Sequence, residues 1–378
     1  MKYRVHHAYA PLALAAALFS AQAMAADQVV KIGVSGPLSG ANAFAGKDDE
    51  NGVRLAVEEL NARKITLGGN VLRFELVSED DQGDPKAGVN VAQKLADAGV
   101  KFVLGPYNSG VAIPASRVYS EAGILMSTVG TNPKITQSGY ANVYRIVASD
   151  LQVGGAMATY AAKELKLKNV GVIDDRTAFG QGVAAEFKRQ AKAAGLTVAG
   201  HEFTTDKASD FAAILTAFKA KKVDAIFFGG YAPQAAPMAR QMKQLGLNAK
   251  LLGGDTLCSP EMAKLGGAAV GDNVRCAQAG AILAKQAGGP AFQQRYRKRF
   301  GIDADVYAPS FYDQTMFIAE AIRGASSLDP KAVGAKLKTM AYQGVVGSYA
   351  YDAQGNLKKT AVTVYTFNNG ALAPLASY

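Results

Sequence analysis

From Val29 to Gly254 the chain alternates short apolar runs with helix-patterned segments, and the loops between them are short. Few architectures accept that order. A strand lying parallel to its predecessor needs a crossover of a dozen or more residues, and a helix is the usual crossover. The expected strands are Val29–Val34, Val71–Ser78, Phe102–Leu104, Ile124–Met126, Val170–Ile173, Thr197–Phe203, Ala225–Phe228 and Leu251–Gly254. In the first helix, Asn51–Ala62, residues Val53, Val57 and Leu60 share one face. Asp84-Pro85 reads as a cap with a first-turn proline, and Gly99 ends that helix. Further helices are expected at Gly110–Ala122, Leu151–Leu165, Gln181–Ala194, Phe211–Ala220 and Pro233–Leu245. The pattern predicts an α/β fold of mostly parallel sheets flanked by helices. It begins afresh after Asp150, and 378 residues exceed what one core usually holds, so two such domains are expected.

Beyond Cys276 the pattern changes to long helices, at Pro290–Phe300, Ser310–Arg323 and Pro330–Met340. Two strand-like runs close the chain, Ser348–Asp352 and Val362–Phe367, with Ala353–Asn356 as the turn between them. The helices are expected to return over the first domain, and the last strand to complete the second. The chain would then cross between lobes near Ser149, near Ala277–Ala279 and near Lys358–Val362. Several short crossings imply two lobes hinged about a cleft.

Composition removes whole classes of function. Lys2 and Arg4, the apolar Ala8–Phe19 run and Ala23-Met24-Ala25 form a leader pattern, with cleavage expected near Ala25 and export to a periplasm. The apolar run is shorter than the ~20 residues a span requires, so no membrane insertion is expected. Without the leader, 39 basic residues face 31 acidic ones. These are spread over helical surfaces such as Lys163–Lys168, without an Arg-rich block interleaved with aromatics, so nucleic acid is not an expected partner. His201 is the one histidine outside the leader, which argues against a histidine-based metal site or a Ser-His-Asp hydrolase. Gly33, Gly36 and Gly40 do not spell G-x-G-x-x-G, and Pro37 obstructs a phosphate-cradling helix start. No cofactor, no metal and no enzymatic activity are therefore expected. Cys258 and Cys276 fall in neighbouring segments of an exported chain and are expected to form a disulfide, the alternative being two buried thiols.

The stretch Lys101–Pro133 holds the first candidate site residues. Two apolar strands each end in small and hydroxyl-bearing residues, and ligands of open parallel sheets bind outside such strand ends. Ser109 lies at a helix start, where free N–H groups favour an anion, and Thr131 takes the matching place one loop later. From these residues alone, Ser109 could equally be a helix cap and Thr131 a turn residue.

A series of segments then acquires a common meaning. KIGVSGPLSG, GVRLAVEELNA, DDQGDPKAGVNVAQKL, the Gly105–Pro114 stretch, EAGILM, DRTAFGQG, SDFAAIL, FFGGYAPQ and DAQGNLK follow one another in order. With them the chain resembles the periplasmic branched-chain amino-acid-binding proteins, two-lobed receptors of ATP-driven importers. The resemblance implies a type I periplasmic-binding-protein fold with the ligand cleft between the lobes. It divides the chain into residues 26–148 plus 279–358 for one lobe and 149–278 plus 359–378 for the other. It gives the ligand's α-carboxylate to Ser109 and Thr131, flanked by Asn108 and Gly130. It gives the α-ammonium to Asp255, where the family often has glutamate, and adds Tyr231 from the GGY motif. Phe44 and Phe179 stand where tyrosine is common, so an apolar wall replaces any hydroxyl contact. Phe44, Tyr107 and Tyr307 are implied to face the ligand's side chain. Asp255 could instead cap the helix that begins near Ser259-Pro260.

The expected function is to bind a small apolar α-amino acid of the Leu, Ile or Val kind and deliver it, as a monomer, to the membrane permease of an ABC importer. The competing expectation is the same fold binding another small carboxylate, an amide or a γ-amino acid.

Overall fold

The structure is a computed structural model and describes residues 1, 3 and 27–378. Apart from two residues, the expected leader therefore lies outside the described residues.

The first sheet contains β1 (Asp27–Gly36), β2 (Thr66–Leu67), β3 (Asn70–Asp80), β4 (Phe102–Leu104), β5 (Leu125–Thr128) and β6 (Val143–Arg145). Their order is β2-β3-β1-β4-β5-β6, parallel except for the β2–β3 pair. The second sheet begins with β7 (Asn169–Asp174), β8 (Thr197–Phe203), β9 (Ala225–Gly229), β10 (Lys250–Gly253) and β11 (Val274–Ala279). A separate hairpin, β12 (Tyr342–Gln343) and β13 (Ser348–Tyr349), precedes β14 (Val362–Asn368) and β15 (Ala371–Ser377). The second sheet runs β15-β14-β11-β10-β9-β7-β8, and its last two strands are antiparallel. β9, AIFFG, is buried at every position, as a parallel strand covered on both faces must be.

The end of the chain departs from the expected pattern. Ser348–Tyr349 pairs with Tyr342–Gln343, and the Val362 run pairs with β11 and β15. The turn at Asp352–Asn356 does form and is closed by a Tyr351–Leu357 bridge and a Lys358 N–H to Ala350 C=O bond, but the Val362 run lies beyond it and takes its partners elsewhere. The reason is burial: residues 362–367 are buried on both faces, so this run needs neighbours on both sides within a sheet. His201, which reads as a surface residue, is held to Asp174 at 2.7 Å and is largely covered.

The helix Ala308–Ala325 is buried along most of its length and packs on the helix Ala43–Ala62, covering the first sheet. Ile146–Ala148, Ala279–Ala281 and Thr360–Ala361, which lie near the expected crossings, line one crevice of about 310 Å³. Gly280 N–H donates to Ala361 C=O at 2.8 Å there. One apolar cluster runs from Val30 and Phe74 through Ile146 and Ala279 to Phe227 and Leu252, so the core is continuous across the crossings.

Candidate functional site

In the first sheet β1 is flanked by β3 and β4, and in the second β7 is flanked by β8 and β9. Chain order reverses at both places, and such switch points are where open α/β sheets bind ligands, outside the carboxyl ends of their strands. β4 and β5 lead into the loops of Tyr107–Ser109 and Gly130–Thr131, while β9 and β10 lead into Tyr231 and Asp255. Two glycines permit the close approach of these loops. Gly105 has φ +113°, and a Cβ there would lie 2.0 Å from the Ser35 carbonyl oxygen. A Cβ on Gly130 would lie 2.6 Å from Ile135 Cδ1.

A small chamber of about 10 Å³ brings together Tyr107, Ser109, Thr131, Phe179, Tyr231, Asp255 and Tyr307, joined by Val129 and Thr256. Phe44 does not line it. It lines a second chamber of about 10 Å³ that shares Tyr107, Thr256 and Tyr307 with the first. Asn108 and Gly130 line neither chamber. Asn108 Nδ2 donates to the Tyr231 hydroxyl at 2.9 Å, and the Gly130 carbonyl is taken up beneath the loop.

That loop is fixed by a residue sequence reasoning missed. Arg145, at the end of β6 and 1% exposed, donates to the carbonyls of Gly130 at 3.1 Å and Asn132 at 3.0 Å, and also to that of Thr131. It reaches Thr136 Oγ1 at 2.8 Å as well. Burial pulls its guanidinium down to about 10, still charged near neutrality, with Asp150 and Asp352 opposing the shift. With its carbonyls turned onto Arg145, the loop leaves the buried Thr131 hydroxyl without a hydrogen-bond partner. Ser109 Oγ accepts only the Asn132 N–H, at 3.3 Å, which leaves its own proton free to donate. Two hydroxyl donors beside the start of the helix Ser109–Glu121 suit an anion.

The opposite wall has the complementary chemistry. Asp255 is 1% exposed, and its Oδ1 accepts the Thr256 N–H at 3.1 Å. Its Oδ2 accepts the Tyr307 hydroxyl. Burial pushes its carboxyl up to about 7, against the pull of the N–H groups bonded to it. It does not cap the following helix, because Ser259 occupies that position and accepts the Glu261 N–H at 3.2 Å. The Asp255 segment is tied to β11 by a disulfide between Cys258 and Cys276, with Cα atoms 5.4 Å apart. Tyr231 packs on Phe179 and Tyr107, with ring centroids 5.3 and 6.3 Å away. Hydrogen bonds from Asn108 to Tyr231, Asn132 to Ala178 and Tyr307 to Asp255 draw the walls together. A ligand reaching Asp255 must part at least the last of these.

Two α/β sheets with a switch-point cleft, donors on one wall and a carboxylate on the other, define a two-lobed receptor for a small solute. The chain belongs to the family described as periplasmic binding protein, which it matches over residues 29–371. It is 34% identical over 373 residues to Leu/Ile/Val-binding protein homolog 1 of Brucella abortus, covering 96% of each chain. It is 32% identical over 369 residues to the leucine-, isoleucine-, valine-, threonine-, and alanine-binding protein of Pseudomonas aeruginosa, covering 95% of each. The leucine-binding protein LivK of Thermotoga maritima superposes with a TM-score of 0.85 at 28% identity, over 92% of this chain and 98% of that one. LivJ of Streptococcus pneumoniae, solved with isoleucine, gives 0.83 at 25% identity, over 93% and 99%. Members of this family are periplasmic solute receptors of ABC importers and not enzymes; they deliver small molecules such as amino acids to a permease. Among the described residues no helix is long and apolar enough to cross a membrane.

Proposed function

We propose that the protein binds a small α-amino acid with an apolar side chain, of the Leu, Ile or Val kind, and passes it as a monomer to an ABC permease. One observation carries this reading. The unspent hydroxyls of Ser109 and Thr131 and the carboxylate of Asp255 line one chamber from opposite sides. A carboxylate and an ammonium on one small molecule complement that pair, and neither is well served by a half-matched ligand, because an unpaired buried charge is costly. Tyr231 and Phe179 close over the zwitterion, and Phe44, Tyr107 and Tyr307 form the wall toward the side chain. Asn108 positions the Tyr231 hydroxyl, and Gly130 admits the close approach of Ser109. The names of the relatives, which specify leucine, isoleucine and valine and in one case threonine and alanine as well, support the same reading.

The lobes are taken as residues 26–148 plus 279–358 and 149–278 plus 359–378, with cleavage near Ala25 releasing the exported chain. Thermal-shift measurement over the amino acids, followed by mass spectrometry of any co-purified ligand, tests the proposal. Stabilisation by leucine, isoleucine or valine is expected. Stabilisation by benzoate or a γ-amino acid with none by α-amino acids would move the protein to the competing class.

A further inference from the structure

The second chamber, on the far side of Tyr107 and Tyr307, differs from its neighbour. Beyond Phe44 and Val306 its lining includes Asp48, Asp49, Ser259 and Asp305. Asp48 is fully engaged: it accepts the Tyr296 hydroxyl at 2.6 Å and the N–H groups of Asp305 at 3.0 Å and Ala308 at 3.3 Å. Asp305 accepts the Ser259 hydroxyl at 2.6 Å. Asp49 is different. It is 4% exposed, and its Oδ2 is buried without a hydrogen-bond partner.

The charges acting on Asp49 are other carboxylates, those of Asp48 and Asp305, and no cation relieves it. Burial accordingly pushes the Asp49 carboxyl well above its ordinary range, and Asp305 up to about 8. An unpartnered carboxyl in a nearly dry site lowers stability, and a packed apolar residue of similar size would raise it. Its location supplies a use. The chamber adjoins the one proposed to hold the zwitterion, sharing Tyr107, Thr256 and Tyr307 with it, and admits one water-sized polar group.

We propose that this chamber is a second recognition point of the same cleft, in which Asp49, beside Ser259 and Asp305, accepts a hydrogen-bond donor at the end of the ligand's side chain. The donor is a hydroxyl, an amide N–H or an ammonium. The proposal rests on the amino-acid reading above and extends it: apolar side chains are accepted, and an isostere ending in a donor is preferred. Phe44, Tyr107 and Tyr307 then act as the apolar sleeve through which the side chain reaches Asp49.

Calorimetry on the full mature chain with two isosteric pairs, valine against threonine and norleucine against ornithine, tests this. In the native protein the donor-bearing member of at least one pair should bind roughly tenfold tighter or more. Asp49→Leu should abolish that preference while raising the melting temperature. Asp49→Asn, which keeps the size and an acceptor, should retain a threonine preference and lose an ornithine preference. The second variant also decides the matter if the first fails to fold. Equal or weaker binding of the donor-bearing member in both pairs, or ratios unchanged in both variants, overturns the subsite and leaves the receptor reading standing. Binding of none of the four, nor of leucine or isoleucine run beside them, overturns the amino-acid reading on which the subsite rests.

Discussion

The two walls of the cleft are built by opposite means. The first-sheet wall is made of donors kept free: Arg145 occupies the carbonyls of the Gly130–Asn132 loop, so the Thr131 hydroxyl faces the chamber unspent. The second-sheet wall is made of one acceptor already engaged, since Asp255 holds the Tyr307 hydroxyl and the Thr256 N–H. One wall thus awaits a partner and the other must exchange one. A zwitterion satisfies both at once, which is the differential interaction that ligand-driven closure requires. An anion alone would satisfy only the first wall and leave Tyr307 on Asp255.

Removing the acceptor should break the asymmetry most severely. With Asp255→Asn the ammonium loses its ionic partner in a dry cleft, a loss of ~2–5 kcal/mol, so affinity should fall roughly 30- to 3,000-fold. Asn can still accept from Tyr307 and carries no buried charge, so near neutral pH the melting temperature should hold or rise. Calorimetry and a thermal melt on this one variant check both halves; a loss below about threefold with an intact fold would contradict the ammonium role. The donor wall should give less. Thr131→Val keeps the shape and deletes one hydrogen bond to a charged group, worth ~1.5–3 kcal/mol, so roughly 10- to 150-fold is expected. If Thr131→Val costs more than Asp255→Asn, the carboxylate contact dominates and the comparison between the walls is reversed.

Much of this arrangement was legible in the chain. Strand ends followed by small and hydroxyl residues pointed to Ser109 and Thr131, because parallel strands buried on both faces must end where their loops turn outward, whereas Tyr231 and Asp255 came from the resemblance to the family. The disulfide was legible from two cysteines in adjacent segments. Arg145 was not. No strand was expected at NVYRIV, and the partners of Arg145 are carbonyls 13 to 15 residues earlier that only the folded loop turns toward it. Asp49 was not legible either, since GKDDEN reads as the solvated start of a helix. Its burial comes from Asp305 and the helix after it, more than two hundred residues away in sequence. The edge strand Ala371–Ser377 escaped notice because ALAPLAS lacks β-branched residues and carries Pro374, which only an edge position tolerates.

The smallest effect expected separates the walls by pH. Burial holds the Asp255 carboxyl at about 7, whereas the unfolded chain releases that proton near 3.8. The folded state therefore binds the proton more tightly, and Asp255's own contribution to the stability of the ligand-free protein should fall as pH rises from about 4 to 7 and then level. Asp150 and Asp313, both raised to about 7 by burial, and Asp305, raised to about 8, add to the slope, so stability alone does not single out Asp255. Affinity should run the other way. An ammonium pairs with the ionised carboxylate, so below pH 7 each unit of acidification costs up to about tenfold, and binding should weaken about tenfold from pH 8 to pH 6. The hydroxyl wall has a titrating neighbour of its own, Asp150 beside Thr131, so only the part of the slope that Asp255→Asn removes belongs to Asp255. Asp255→Asn should accordingly flatten the affinity profile while removing only its own share of the stability slope. Calorimetric affinities at pH 6, 7 and 8 for the native and variant proteins provide the check. A native profile flat across that range would mean that the ammonium is not held by an Asp255 that must first lose a proton.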